Sequence, residues 1–120
     1  MKISDTILHL AELGNVILIG RGANIITSKL DYVFHVRLVG SLERRVQYIQ
    51  EVNHLSPKEA LDFVRREDLG RQRYLKKYFN KDIEDPLLYH LGINTDLVPY
   101  AEAARMIAHA VETKKPAEVQ

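Results

Sequence analysis

The feature that most constrains the fold is a run of branched apolar residues, VILI at positions 16–19, that stops at a Gly-Arg-Gly turn. Consecutive strand side chains point to opposite faces, so an uninterrupted apolar run predicts a strand that is covered on both faces, as in a parallel sheet. Two further strands are predicted at residues 32–39 and 89–93. Because helical patterns lie between the strands, the sequence predicts an α/β fold, with three α/β/α layers around a small parallel sheet.

The clearest helix start is Ser56-Pro57-Lys58-Glu59. Ser56 and Glu59 have the spacing of a capping box, and Pro57 occupies the first helical position, where its missing N–H costs nothing. The helical pattern continues to about residue 79, and Gly70 is its weakest point because glycine has a low helix propensity. A long helix is therefore predicted in the middle of the chain.

Three other helices are predicted from their end signals. Residues with short polar side chains cap helix starts, and glycine or asparagine commonly ends a helix in the left-handed conformation. The signals are Gly14 and Asn15 after a helix at residues 4–13, Ser41 before a helix that reaches about residue 52, and Thr95 or Asp96 before the last helix.

Composition narrows the function classes. The 120 residues suffice for one domain, and 17 basic against 16 acidic residues leave a net charge of +1, so no overall field attracts nucleic acid or a membrane surface. The chain has no cysteine, and its five histidines contain no i, i+4 pair, so neither thiolate chemistry nor a metal site is expected. No apolar stretch approaches the roughly 20 residues of a membrane span, and no signal peptide is expected, so the prediction is a cytoplasmic protein.

The Gly20-Arg21-Gly22 turn lies where α/β proteins bind ligands, at the carboxyl end of a predicted strand. It is not a P-loop, because no Lys-Ser/Thr pair follows at the required spacing. It also lacks the third glycine or alanine of the dinucleotide fingerprint, since that position is Ile25. Arg21 is thus either a phosphate ligand or an exposed turn residue.

A strongly basic stretch covers residues 63–79, where six basic residues stand against two acidic ones. Arginine binds phosphate oxygens through two parallel hydrogen bonds and keeps its charge. Arg66 and Arg73 are seven residues apart and share a helical face, whereas Asp68 and Arg71 are three apart and can pair. The pattern alone allows a phosphate site or an ordinary solvated face with ion pairs.

Four segments taken in order resemble the cytidylate kinase-like family of P-loop nucleoside monophosphate kinases. They are LAELGNVILIGRGANII, VFHVRLVGSLERRVQYI, REDLGRQRYLKKYF and DPLLYHLGINTDLV. Each segment is a weak match by itself, but together the segments span about residues 5–112 in the family's order. The resemblance implies a P-loop nucleoside-kinase fold that is incomplete here.

The resemblance also implies a site made of the Gly-Arg-Gly turn and a helical lid at about residues 56–82. In such kinases an arginine after this strand contacts the acceptor phosphate, lid arginines close over the phosphates, and an Asp-x-x-Arg pair holds the acceptor's sugar and phosphate. The nucleotide- or phosphate-binding residues implied are Arg21, Arg66, Asp68, Arg71 and Arg73, and the possible pocket residues are Gly20, Gly22, Tyr74, Asn94 and Thr95.

The family reaction transfers the γ-phosphoryl group of ATP to CMP or dCMP. A CMP-like nucleoside monophosphate is therefore the implied ligand, and ATP and Mg²⁺ are the implied cosubstrate and cofactor. Catalysis in such enzymes is mostly positioning and charge neutralisation, and closure of the lid excludes water.

Three departures from the family pattern affect this interpretation. Gly22 stands where ordinary cytidylate kinases have Asp, which weakens the case for cytosine, and Val64 stands where an arginine precedes Asp68. The sequence also contains no P-loop, which in the family belongs to the half that comes before these segments. We therefore expect no catalytic residue in this chain and no phosphoryl transfer by it alone, and its own sequence implies no cofactor.

A missing P-loop strand has a structural consequence, because in the family it lies between the strands that correspond to residues 16–19 and 33–39. Each unpaired backbone group buried in that slot would cost about 1–3 kcal/mol. We expect the two strands to pair directly, to borrow a strand in a homo-oligomer, or to be completed by a partner with a P-loop. The alternative function is a non-catalytic regulatory or interaction domain on the same scaffold. The predicted domain covers residues 1–113, and residues 114–120 are predicted to be a flexible tail.

Overall fold

The structure, a computed structural model, describes residues 2–20 and 22–114. Its described part contains five α-helices, one 3-10 turn and two strands. In chain order the elements are α1 (Lys2–Leu13), α2 (Ala23–Ile26), β1 (Val36–Val39), α3 (Leu42–Asn53), α4 (Pro57–Phe79), the 3-10 turn (Pro86–Leu88), β2 (Leu91–Asn94) and α5 (Tyr100–Lys114). The architecture is therefore mixed α/β, as the alternation of apolar runs and helical patterns predicted.

The two strands form a small parallel sheet in which Val36 is opposite Leu91 and Val39 is opposite Asn94. Backbone pairing extends past both ends of the sheet, since the N–H of His90 donates to the His35 carbonyl at 2.8 Å. Ile93 is the most deeply buried residue of the sheet, with 2% of its surface exposed. The sheet is thus fixed by a short ladder and one well-packed β2 side chain.

The prediction of a strand at residues 16–19 is wrong. The segment takes no strand geometry, and Ile17 and Ile19 are 87% and 89% exposed. A strand is stabilised by cross-strand partners, and within the described residues no other segment pairs with this one. The strand predicted at residues 32–39 is shortened to β1 for a local reason, because a turn closed by the Val33 N–H and the Leu30 carbonyl occupies its beginning.

The helix starts predicted from capping signals at α3 and α4 are confirmed. Ser41 caps α3 by accepting the Arg44 N–H at 3.2 Å, and Ser56 and Glu59 form both hydrogen bonds of the capping box of α4. The 23 residues of α4 continue through Gly70, where an added Cβ would meet only open space. The buried residues Ala60, Val64 and Leu75 all lie on α4, which packs along α3.

The predicted C-terminal end of α1 agrees with the structure, whereas the predicted start of α5 does not. Gly14 and Asn15 end α1 in the left-handed conformation, with φ of 73° and 52°. The last helix begins at Tyr100 rather than directly after Asp96, because the N–H groups of residues 97 and 98 both donate to the Asn94 carbonyl in a turn. α5 then continues through Lys114, and the rest of the predicted tail, residues 115–120, lies outside the described residues. Among the described residues, no helix has the length and apolar character needed to span a bilayer.

Candidate functional site

The carboxyl ends of the two parallel strands are tied together by hydrogen bonds. The hydroxyl and the N–H of Thr95, just after β2, both donate to the carbonyl of Val39, at 3.0 and 2.7 Å. The N–H of Ser41 donates to the carboxylate of Asp96 at 3.1 Å. Gly40 permits this close approach, since a Cβ there would lie 3.0 Å from the Thr95 hydroxyl. The sequence thus places polar groups of both strands at one edge of the sheet, where open α/β folds bind ligands.

An open groove of about 810 Å³ lies beside this edge, between α3 and the start of α5. A second pocket of about 350 Å³ adjoins it on the side of α4. Arg45, Tyr48 and Tyr100 line both, so we describe them as one groove with two parts, the α5 part and the α4 part. The rings of Tyr48 and Tyr100 meet edge to face with centroids 5.8 Å apart, and about half of each residue is exposed.

Three charged side chains form a cluster along the α4 part of the groove. Arg45 of α3 binds both oxygens of Asp68 of α4, with N–O distances of 2.7 and 3.0 Å. Arg71 donates to the same Oδ1 atom of Asp68 at 2.7 Å, so the predicted ion pair three residues apart is present. Arg45 is also held by its own Nε, which donates to the Gly40 carbonyl at 3.0 Å. We call Arg45, Asp68 and Arg71 the arginine–aspartate cluster.

The charges of this cluster stabilise one another. The hydrogen bond from Arg45, assisted by the one from Arg71 and by their charges, holds the pKa of Asp68 below its ordinary value against the opposing effect of burial. The same hydrogen bond raises the pKa of Arg45. The cluster therefore keeps the Asp68 carboxylate and the Arg45 guanidinium ionised near neutral pH. Together with Glu67, which lines the same pocket, the cluster has no net charge, so its attraction for an anion depends on directed N–H groups rather than on an overall positive field.

A second carboxylate, Asp96, lies at the edge of the α5 part of the groove. Hydrogen bonds from the side chain and the backbone of Ser41 lower the pKa of Asp96. Arg44 donates to the Asp96 backbone carbonyl at 3.2 Å, which holds its guanidinium at the same place. The α5 part thus presents an acidic and a basic group a short distance from two tyrosine rings.

The structure separates the lid arginines that the sequence grouped together. Arg71 lines the α4 part of the groove, whereas Arg66 lies over the ring of Phe63, 5.8 Å from its centroid. Arg66 and Arg73 share a face that is roughly 140–160° around the helix axis from Arg71, as 100° per residue dictates. Arg73 is exposed on that face. The structure therefore brings Arg71 to the groove, with Asp68 bound behind it, and leaves the other two arginines on a different face of α4.

The remaining pocket residues fall into two places. Thr95 lines the α5 part of the groove, and the Asn94 side chain accepts the Asp96 N–H at 2.9 Å, which shapes the turn after β2. Tyr74 instead packs in an aromatic group at the end of α4, with its ring 5.0 Å from Tyr78 and 6.1 Å from Phe79. Of these three residues, only Thr95 therefore lines the groove.

The glycines of the Gly-Arg-Gly turn have positive φ, 76° at Gly20 and 69° at Gly22. An added Cβ at Gly22 would collide with the ring of Phe79, so this glycine is required where the end of α4 packs against the turn. Arg21, the proposed ligand of the acceptor phosphate, lies outside the described residues. The conformation of the turn thus has a packing reason that the sequence did not indicate.

Sequence reasoning missed Arg45, Tyr48, Asp96 and Tyr100 as groove residues. The sequence did contain a signal for Arg45, because this residue lies in the first turn of a helix that is capped by Ser41 and comes directly after a strand. That position is the carboxyl edge of a parallel sheet, where functional side chains collect. The tyrosines carry no such signal, because aromatic residues at helical spacing are usually packing residues.

Comparison with known proteins places this chain in a family. The family model described as the cytidylate kinase-like family matches residues 1–97. The chain belongs to the cytidylate kinase-like family. A solved structure titled as an uncharacterized protein from Eubacterium ventriosum ATCC 27560 has the same fold, with a TM-score of 0.80 at 20% sequence identity over 92% of this chain. This cytidylate kinase-like chain spans only 63% of that structure's length. No curated protein matches the chain.

Proposed function

We propose that this chain is the acceptor-and-lid part of a nucleoside monophosphate kinase-like phosphotransferase, and that its groove binds a nucleotide. The observation that carries the proposal is the arginine–aspartate cluster beside the carboxyl ends of two parallel strands. A guanidinium held by one carboxylate is oriented and still has N–H groups to offer a phosphate. Family membership supports the same chemistry from an independent direction.

The groove offers separate groups to the parts of a nucleotide. Arg71 is only half-buried and donates one hydrogen bond to Asp68, so its other N–H groups are available to phosphate oxygens. The rings of Tyr48 and Tyr100 offer an aromatic surface to a base or sugar. The family reaction would transfer the terminal phosphoryl group of ATP to a phosphate oxygen of CMP or dCMP, releasing ADP and a nucleoside diphosphate. In that reaction this chain positions one nucleotide and neutralises its charge.

The described part of the chain contains no cluster that would hold Mg²⁺ through protein side chains alone. Among residues 2–20 and 22–114, no three carboxylate or imidazole side chains gather where they could hold a metal ion. Magnesium in phosphoryl-transfer enzymes is commonly held by one or two carboxylates together with substrate phosphates. The ion would accordingly arrive with ATP, and the groups that cradle ATP would come from a P-loop that this sequence does not contain.

A P-loop-bearing segment or a second copy of this chain is the partner that we propose. Within the described residues β1 pairs with β2 alone, which leaves its other edge without a strand. Leu38 of β1 and three residues of the 16–19 run are exposed apolar side chains, as expected of surfaces that a further strand would cover. Of the three arrangements expected from the sequence, direct pairing of the two runs does not occur in the described part.

The same exposed run favours a second candidate, a non-catalytic interaction domain on a kinase scaffold. Large apolar side chains such as Ile17 and Ile19 at the surface mark protein interaction sites more often than catalytic ones. In that case the arginine–aspartate cluster only ties α3 to α4. The two candidates differ in one measurable property, nucleotide binding.

The test is a thermal-shift titration with CMP, dCMP, UMP, AMP and ATP·Mg at low salt. A ligand present at 100 times its Kd stabilises the folded state by about 2.7 kcal/mol, which raises the melting temperature by several degrees. We expect a monophosphate to produce this shift, and Arg71→Ala to abolish it. The matched control is Arg105→Ala, which removes an arginine from an exposed pair of the same i, i+3 spacing. No shift with any nucleotide at millimolar concentration would overturn the proposal in favour of the interaction domain.

A further inference from the structure

The two arginines of the cluster are held in different ways. Arg45 makes three hydrogen bonds, two to Asp68 and one to the Gly40 carbonyl, so every part of its guanidinium is fixed. Arg71 makes one hydrogen bond to Asp68, and 53% of its side chain is exposed. One guanidinium is therefore anchored to the strand end, and the other retains N–H groups that face solvent and the pocket.

We propose that Arg45 is a positioning residue, which fixes the Asp68 carboxylate so that Arg71 points one edge of its guanidinium into the α4 part of the groove. The inference rests on the proposed function, because it assumes that Arg71 receives a phosphate there. The Asp-x-x-Arg motif at residues 68–71 does not include Arg45.

The reasoning follows from the geometry of the carboxylate. Asp68 has two oxygens; Arg45 takes one N–H contact on each, and Arg71 shares Oδ1. If Arg45 is absent, Asp68 can rotate and offer both oxygens to Arg71, the paired geometry that arginine and carboxylate prefer. Arg71 would then turn its open edge toward Asp68 and away from the groove. Arg45 thus prevents Arg71 from making a paired contact with Asp68 in place of a contact in the groove.

The test compares Arg45→Lys with wild type in two readouts. Lysine keeps the positive charge but cannot form the paired contact, so the substitution removes the fixed orientation of the Asp68 carboxylate and leaves the charge at position 45 unchanged. The first readout is the guanidinium N–H resonance of Arg71, Nη as well as Nε, in ¹⁵N NMR spectra without ligand, because Nη2 makes the contact to Asp68. The second is the Kd for CMP, measured by titration. Arg37→Lys is the matched control, because Arg37 forms the same kind of two-contact pair, with Glu84, on another surface.

We expect Arg45→Lys to shift the Arg71 resonance and to weaken CMP binding about tenfold, the effect of losing one well-oriented charged hydrogen bond. Arg37→Lys leaves both readouts unchanged. In an Asp68→Asn background, Arg45→Lys has no further effect on CMP binding, because the group through which it acts is gone. This background also supplies a second variant of the same contact if Arg45→Lys does not fold.

Other results overturn one proposal or the other. CMP binding that is unchanged in Arg45→Lys, or weakened equally with and without Asp68, contradicts the positioning role while the proposed function stands. If the wild-type chain binds no nucleotide, the proposed function fails, and the Arg71 resonance then decides about Arg45. A resonance that Arg45→Lys does not move means that Arg45 does not orient Arg71.

Discussion

Two short apolar runs of this chain have nearly the same composition and opposite outcomes. The run at residues 16–19 is fully apolar and has no strand geometry, whereas β1, with an arginine in its middle, is a strand. The difference lies outside the runs. β1 meets β2, and the carbonyl of Val39 at its end accepts two hydrogen bonds from Thr95. The 16–19 run meets no strand in the described part of the chain, which shows that an apolar run predicts burial without naming the element that provides it.

The exposed apolar side chains of the two runs also indicate that a further element covers them. Leu38 of β1 is 56% exposed although it lies in a strand, and Ile17 and Ile19 of the 16–19 run are more exposed still. Both surfaces are apolar, and a parallel sheet is stable only when both of its faces are covered. A further strand with helices beside it would bury both runs, in agreement with the partner that we propose. The stability of the described part should therefore depend on β2 far more than on the 16–19 run.

The largest predicted effect tests this difference directly. Ile93→Ala removes a side chain that is 2% exposed, and it should lower the free energy of unfolding by about 2–5 kcal/mol. Ile17→Ala, the same substitution at an 87% exposed position, should change it by less than about 0.5 kcal/mol. Urea unfolding of both variants provides the measurement. Equal losses would mean that the 16–19 run is buried in solution.

A second pair of variants, at the glycines on either side of the 16–19 run, tests how this segment is attached to the rest of the molecule. Gly14 and Gly22 both have positive φ, but only at Gly22 would a Cβ collide with Phe79. Gly14→Ala should cost about 1 kcal/mol from backbone strain alone, and Gly22→Ala roughly 2–3 kcal/mol, since overpacking adds to the strain. Thermal unfolding gives both values. Truncation of Phe79 to Ala should remove the extra cost of Gly22→Ala, and a cost that survives this truncation would show that the ring is not its cause.

The helices could be predicted from the sequence because their end signals are local. Ser41, Ser56 and Gly14 each act through groups within three or four residues, so the pattern contains the whole interaction. The strands could be predicted only in part, because each depends on a partner distant in the sequence.

The groove was least accessible to sequence reasoning. The contact from Arg45 to Asp68 joins residues 23 positions apart, and no spacing rule connects them. The Asp68–Arg71 pair, three residues apart on one helix, was predictable and is present. Arg66 and Arg73 were grouped with it by the family resemblance, which does not say which face of a helix points to a site.

The third prediction concerns the effect of acid on stability, which acts through Asp68. Its pKa is lowered in the folded state, first by the hydrogen bond from Arg45, from an ordinary value of 3.8. The stabilisation is therefore complete above that ordinary value and is lost as the pH falls through the lower folded pKa. Since the side chain is partly exposed, we expect an effect on the order of 1 kcal/mol.

Urea unfolding between about pH 6 and pH 2.5 measures this effect. Asp68→Asn should be less stable than wild type near neutral pH, and the difference should shrink at the acid end of the range. Asp62→Asn, which changes an exposed carboxylate on the same helix, is the control. A difference between Asp68→Asn and wild type that does not change with pH would contradict the assignment.

The smallest predicted effect on stability tests what covers the 16–19 run. Changing Ile17 and Ile19 to Lys should alter the free energy of unfolding of the dilute chain by less than about 0.5 kcal/mol, because both side chains are already exposed. If the run docks against a second copy, the wild-type melting temperature rises with protein concentration, and the double variant loses this dependence. Leu87→Lys, at a 90% exposed position in the 3-10 turn, controls for the general effect of added charge. Wild-type and variant chains that both sediment as monomers would exclude the second copy and leave a P-loop-bearing segment as the element that covers this surface.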